Sequence, residues 1–217
     1  MAERTPELHQ RLIEVTGWYD GLDDGHDRRH VEAVVQRAVL LAEKYASDQV
    51  LLAEIAAVYH DVGLLSGRDD HENTAAEVVL LDPVLRQALT HEEVVAVSRA
   101  VRNHRASTGK PETVLEKIIA DADRSPISTA HAYMRAVVHR RMYHPEMDHE
   151  VQLLRAAKHL FEKYGPGGYG STFHFKETED TIQETMQPIF DAHRDGNLAL
   201  LREILDQEGY RHDSTSV

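Results

Sequence analysis

The chain has 217 residues, 41% of them apolar, with 12 glycines, 7 prolines, no cysteine and a formal net charge of −13. That is enough chain for one sizeable core; the lack of cysteine excludes a disulfide framework and thiolate chemistry, so any metal must be held by nitrogen and oxygen. The acidic balance speaks against polymeric nucleic acid as a partner, which needs clustered Lys and Arg, and no run approaches the roughly twenty apolar residues of a spanning helix, so a soluble cytoplasmic protein with no membrane partner is expected.

The pattern predicts helix nearly everywhere. An N-terminal helical segment is expected over 1–25. From 31 to 45, Val31, Val34, Val35, Ala38, Val39, Leu41 and Ala42 keep largely to helical spacing, with Asp27 placed to cap. A second helix is predicted from about 49 to 61, where Leu52, Ile55, Ala56 and Tyr59 fall on one side of a run too long for a typical strand. A third spans 73–81 and closes near Pro83, and a fourth spans 92–104. RASTGKP, 105–111, is the clearest turn. TVLEKIIADAD then opens a fifth helix with Thr113 as its cap and Leu115, Ile118, Ile119 and Ala122 inward. MRAVVHRRMYH and VQLLRAAKHLFEKYG read as two more.

GPGGYGSTFHF, 165–175, has four glycines and a proline and cannot sustain a helix. It reads as a connector or as a lid over a site. Helical spacing resumes in TIQETMQPIFDAHRDGNLALLREILDQEG, and the tail RHDSTSV is expected to fray. The fold class expected is all-α, a single-domain helical bundle.

The metal-capable residues sit at or near the ends of these helices. His30 opens one, His60 and Asp61 end the next, His104 ends the fourth, and Asp121 and Asp123 lie in the fifth. Side chains from separate helices can converge in a bundle core to build a metal site, and a carboxylate buried there is costly unless paired or metal-bound. Fifteen histidines in one chain point the same way, although each residue taken alone also fits a capped end or a solvated turn.

The order His, then His-Asp, then a distant Asp resembles the HD-domain superfamily of metal-dependent phosphohydrolases. The segments that carry the resemblance are GHDRRHVEAVVQRA (25–38), LLAEIAAVYHDVG (51–63), AVRNHRAS (100–107) and LEKIIADADR (115–124), followed by SPISTAHAYMRA as the family's next helix. The resemblance implies an all-helical HD domain over 26–164, with 165–217 a glycine-rich loop and C-terminal helical extension packed on the same domain. It implies His30, His60, Asp61 and Asp123 as primary ligands of a divalent ion (Mn, Co, Ni, Fe, Mg or Zn), with Asp121 the alternative to Asp123 and His26 the competitor of His30. His71 and His104 occupy places where some branches complete a second ion site. His71 reads equally as a water-facing residue of the acidic run RDDHEN.

The implied activity is hydrolysis of a small phosphate ester, a nucleotide by resemblance alone, as a phosphomonoesterase or phosphodiesterase. Asp61, His104 and Asp27 are the candidate catalytic residues, with His26 beside them, and Lys110 and Arg124 the candidate phosphate clamps. The resemblance leaves room for a homodimer. VGLL after His-Asp lacks the acidic pair of the alarmone hydrolases, and RASTGKP after His104 lacks the Gly-Tyr-Pro motif of cyclic di-GMP phosphodiesterases. Two alternatives remain: a di-iron oxygenase on the same six ligands, and a metal-retaining nucleotide-binding module without turnover.

Overall fold

A computed structural model describes residues 3–22, 26–106, 108–125 and 127–210. Gly25 and Ser107, at the edges of two motif segments, and the tail 211–217 lie outside the described residues. Among those described, every regular element is helical. The residues form two compact units, Met1–Ser125 and Pro126–Val217.

The first unit holds α1 (Pro6–Trp18), α2 (Arg28–Tyr45), α3 (Val50–Tyr59), α4 (His71–Leu81), α5 (Pro83–Ala88), α6 (His91–Arg102) and α7 (Val114–Arg124). Apolar composition puts α3 at the centre: Leu52, Ala53, Ile55, Ala56, Ala57, Val58 and Tyr59 are all buried, and α1, α2, α4, α6 and α7 all pack on it. A helix buried all round carries no one-sided stripe. The amphipathic α2, α6 and α7 do, and α2 and α7 are capped where the sequence predicts: the Asp27 side chain accepts from the amide of His30, and Thr113 accepts from the amide of Glu116. Thr90 and Glu93 add a reciprocal capping box at the start of α6.

Three local differences bear on function. The second predicted helix stops at Tyr59, so His60 and Asp61 lie in the turn that follows, and Asp61 has φ −110° and ψ 8°, the bridge region that many active-site residues occupy. The third begins two residues early, at His71, behind Asp70 in the left-handed conformation at φ 61°. Pro83 opens α5 instead of only closing α4, because Asp82 caps it and proline suits a first helical position.

The second unit holds α8 (Thr129–Tyr143), α9 (His149–Tyr164), α10 (Lys176–Asp195) and α11 (Leu198–Asp206). Its own core gathers Tyr133, Val137, Leu153, Ala157, Ile182, Met186, Ile189 and Leu201, all 0% exposed. The sequence reading spans one domain to residue 164; the packing divides after Ser125 instead, because α8 and α9 bury their apolar faces with α10 and α11. Residues 165–175 contain no helix, and Gly170 N–H returns to the Lys163 carbonyl at 2.8 Å. Gly196, at φ 61°, separates α10 from α11.

Asp82 ties α1, α3 and α5 together. Its buried carboxylate accepts from Tyr59 Oη at 2.7 Å, Arg11 Nε at 2.8 Å and the amides of Val84 and Leu85. Burial alone would raise its pKa; the bonds from Tyr59, Arg11 and the Leu85 amide outweigh it and bring the carboxyl below its ordinary value. A depressed carboxyl pKa stabilises the fold above the unfolded-state value and loses that contribution as pH falls through the folded one. Asp82→Asn should therefore cost about 2–3 kcal/mol at neutral pH, with the gap from wild type closing on acidification, as read by urea unfolding across pH.

Candidate metal centre

Five helix ends meet at one end of the first unit. His30 comes from the first turn of α2, His60 and Asp61 from the turn after α3, His71 from the first residue of α4, His104 from just past α6 and Asp123 from the last turn of α7. His30 is 3% exposed, His60 0%, Asp61 3%, His71 9% and His104 2%. Asp123, with 24% of its side chain exposed, is the most exposed of the six.

The ligand atoms fall into two groups, each with all atoms within 4.8 Å of one another: His30, His60, Asp61 and Asp123, and Asp61, His71 and His104. In the first, His60 Nε2 lies 3.1 Å from Asp61 Oδ2 and 3.6 Å from Asp123 Oδ1. His30 Nε2 lies 3.2 Å from Asp123 Oδ1, 3.3 Å from His60 Nε2 and 3.8 Å from Asp61 Oδ2. Ligands bound at about 2.1 Å around one ion sit roughly 3.0–3.4 Å apart along tetrahedral or octahedral edges. Three of the five separations fall in that range and the other two, 3.6 and 3.8 Å, are a few tenths of an ångström wider, so a small contraction would seat a cation between them.

In the second group, His71 Nε2 and His104 Nε2 lie 3.3 and 3.4 Å from Asp61 Oδ1. The two oxygens of Asp61 thus face different groups, so this carboxylate is common to both. The reading of His71 as a water-facing residue does not describe this ring, which is nine-tenths buried with Nε2 turned to Asp61.

Imidazole orientation is fixed from behind. His60, His71 and His104 each set Nδ1 against the carbonyl three residues earlier, Ala57 at 2.7 Å, Arg68 at 3.0 Å and Val101 at 2.6 Å. An Nδ1–H donated to a carbonyl leaves the Nε2 lone pair pointing inward, the form that binds metal. Ala57 and Val101 lie in the last turns of α3 and α6, where carbonyls lack an intrahelical partner. Helix ends therefore supply both the position and the tautomer.

The charges are mutually dependent. Burial opposes a proton on His60, but Asp61 and Asp123 outweigh it and hold its pKa well above the ordinary 6.5. Burial likewise opposes protonation of His71, and Asp61 again prevails and raises it. Burial would raise Asp61 and Asp123; His60 and His104 draw the first well below the carboxylate range, and His30 and His60 the second. A divalent ion would replace those protons.

Other predicted residues stand apart from the two groups. Asp27 accepts from the His30 amide at 3.1 Å and from Arg29 Nε at 2.9 Å, so it holds the start of α2. The His26 ring lies edge-on to His30 with centroids 6.1 Å apart, and Arg68 Nη2 is 3.3 Å from its Nδ1. Asp121 is fully buried, and Arg124, 8% exposed, reaches to 4.0 Å from it. Lys110 is exposed, and its amide donates to Asn103 Oδ1.

Sequence reasoning missed three supports. Gly63 lets the turn after Asp61 cross the start of α4, since a Cβ there would overlap the His71 carbonyl; a glycine two residues beyond His-Asp is its only signal. Glu72 receives Arg105 Nη1 at 3.1 Å and Thr108 Oγ1 at 3.3 Å, tying α4 to the loop after His104. Tyr19 bonds the turn that carries Asp61, across a sequence separation that no local pattern reveals.

Residues 28–125 match the family model of the HD domain. The matched stretch runs from the first residue of α2 to the residue after α7 and includes all six convergent side chains. No curated protein and no solved structure matches the chain.

Two outcomes are expected. In metal-free protein the raised His60 and His71 contribute stability that is complete below the ordinary imidazole pKa of 6.5 and lost as pH rises through the folded value. The increase in melting temperature on adding Mn2+ should therefore grow as pH rises from the ordinary imidazole pKa of 6.5 through the raised values; a constant increase would break the link. Gly63→Ala should cost about 1–3 kcal/mol in denaturant unfolding, and calorimetry should show weakened binding of a second ion.

Proposed function

We propose that this protein, in which residues 28–125 are an HD domain, is a metal-dependent phosphohydrolase that cleaves a small phosphate ester at a two-ion site. The observation that carries the reading is Asp61, whose Oδ2 faces His60 and His30 while Oδ1 faces His71 and His104. His30, His60, Asp61 and Asp123 would hold one divalent ion, and Asp61, His71 and His104 the other. Bound ions would acidify water and offset charge on a phosphoryl oxygen, as expected of such centres.

The chain's own groups do the rest. Tyr19 and the Ala57, Arg68 and Val101 carbonyls keep the ligands aimed, so little reorganisation is needed when charge develops. Asp123, the most exposed ligand, marks where the ester enters. At the rim, Arg68 Nη2 donates to His26 Nδ1, which leaves the hydrogen of a neutral His26 ring on Nε2. Arg68 is an exposed guanidinium beside the ring that packs on His30, and its charge suits a phosphate oxygen. We assign it the clamp role in preference to Arg124, which is buried toward Asp121, and to Lys110. Of the other two catalytic candidates, Asp27 acts by holding the start of α2 and with it His30, and His104 serves as a ligand through Nε2 rather than as a proton carrier. Nucleotides are the substrates first in line, by family resemblance.

The same six ligands suit two irons and oxygen chemistry, so the test separates the readings. Purified protein is analysed for metals and assayed against p-nitrophenyl phosphate, bis-p-nitrophenyl phosphate and a nucleotide panel, with and without O2. Hydrolysis that ignores O2 and stops on chelation is the expected result. Turnover that requires O2 and iron would favour the oxygenase, and a metal-loaded protein inert to every ester but stabilised by one nucleotide would favour the binding module. Asp61→Ala should lose bound metal and lower hydrolysis by more than about 10²-fold with helix content unchanged by circular dichroism; full activity in that variant would refute the assignment.

A further inference from the structure

The turn that carries the shared carboxylate is shaped by a residue before the HD domain. Tyr19, one residue past α1 and 1% exposed, donates from Oη to the Val58 carbonyl at 2.8 Å. The same oxygen accepts the Asp61 amide at 3.3 Å. Had α3 continued, the Asp61 amide would donate to Ala57 and the Val58 carbonyl would accept from Val62. One phenol stands in for both bonds at the point where the helix ends, and the Ala57 carbonyl accepts His60 Nδ1 instead.

We propose that Tyr19 is a positioning residue of the metal centre: it ends α3 at the His-Asp pair, releases the Ala57 carbonyl to orient His60, and fixes the backbone from which Asp61 reaches both ligand groups. This rests on the two-ion reading above. The hydroxyl keeps its proton for the task, because burial, with the nearby charges of Asp61 and Asp123, pushes its pKa well above 10.0. α1 is itself anchored to the same helix, since Arg11 reaches Asp82, which also accepts from Tyr59, the neighbour of His60. The segment before residue 28 is therefore part of the site's machinery.

The test compares Tyr19→Phe with Tyr133→Phe in full-length protein. Tyr133 is an equally buried phenol that donates to the Leu153 carbonyl at 2.9 Å within the second unit, so its loss reproduces the cost of one buried hydroxyl without touching Asp61. Mn2+ binding is measured by calorimetry, and exchange of the Asp61 amide by NMR on metal-free protein. Tyr19→Phe should weaken Mn2+ binding about 10- to 100-fold and speed exchange at Asp61, while Tyr133→Phe leaves both at wild-type values. Wild-type binding and exchange in Tyr19→Phe would overturn the proposal while the two-ion reading stands. Wild-type protein that binds no Mn2+ or other divalent ion would overturn both.

Discussion

One buried carboxylate, Asp61, and four buried imidazoles gathered with the partly exposed Asp123 set the constraint that the rest of the first unit satisfies. An isolated carboxylate as enclosed as Asp61 would be driven to its neutral form. Here His60, His104 and His71, each with a ring nitrogen 3.1–3.4 Å from one of its oxygens, hold it ionised instead. None of these side chains has an economical reason to be buried alone. Together they make a site in which positive charge is required, whether as protons on histidine or as a metal ion.

The bundle meets that requirement with helix ends. The C-terminal ends of α3, α6 and α7 meet the N-terminal ends of α2 and α4 at the cluster, so the carbonyl poles of three helices are set against the amide poles of two. The last-turn carbonyls of α3 and α6, left over by the helices, become the acceptors that set the ring orientation of His60 and His104. A helix terminus usually demands a capping group; at these two termini the capping group is the ligand. That is why a helix as apolar as α3 ends in His-Asp.

Much of this was legible in the sequence because it is local. Helical period, the Asp27 and Thr113 caps, and the spacing of His30, His60, Asp61 and Asp123 all follow from neighbours a few residues apart or from a family pattern. The domain boundary was not, because α8 and α9 carry the same helical period whichever core receives them; only the contacts of Tyr133, Leu153 and Ile182 decide it. The start of α5 was misread because proline ends one helix and begins another by the same loss of an amide. Tyr19 lies 42 residues from Asp61, and nothing within a turn of either residue announces the contact.

Charge also explains how an acidic protein could favour a small anionic substrate. At −13 overall its surface would repel a long polyanion, whose charges extend well beyond the roughly 8 Å screening length at physiological salt. Two divalent ions set against Asp61 and Asp123 would leave the cluster itself near +2, with Arg68 at its rim. A compact phosphate ester can place its whole charge inside that region, whereas a nucleic-acid strand would leave most of its phosphates against the acidic exterior. The same imbalance that would repel polymers would thus sharpen selection for small esters in the proposed reaction, and would do so only with the ions bound.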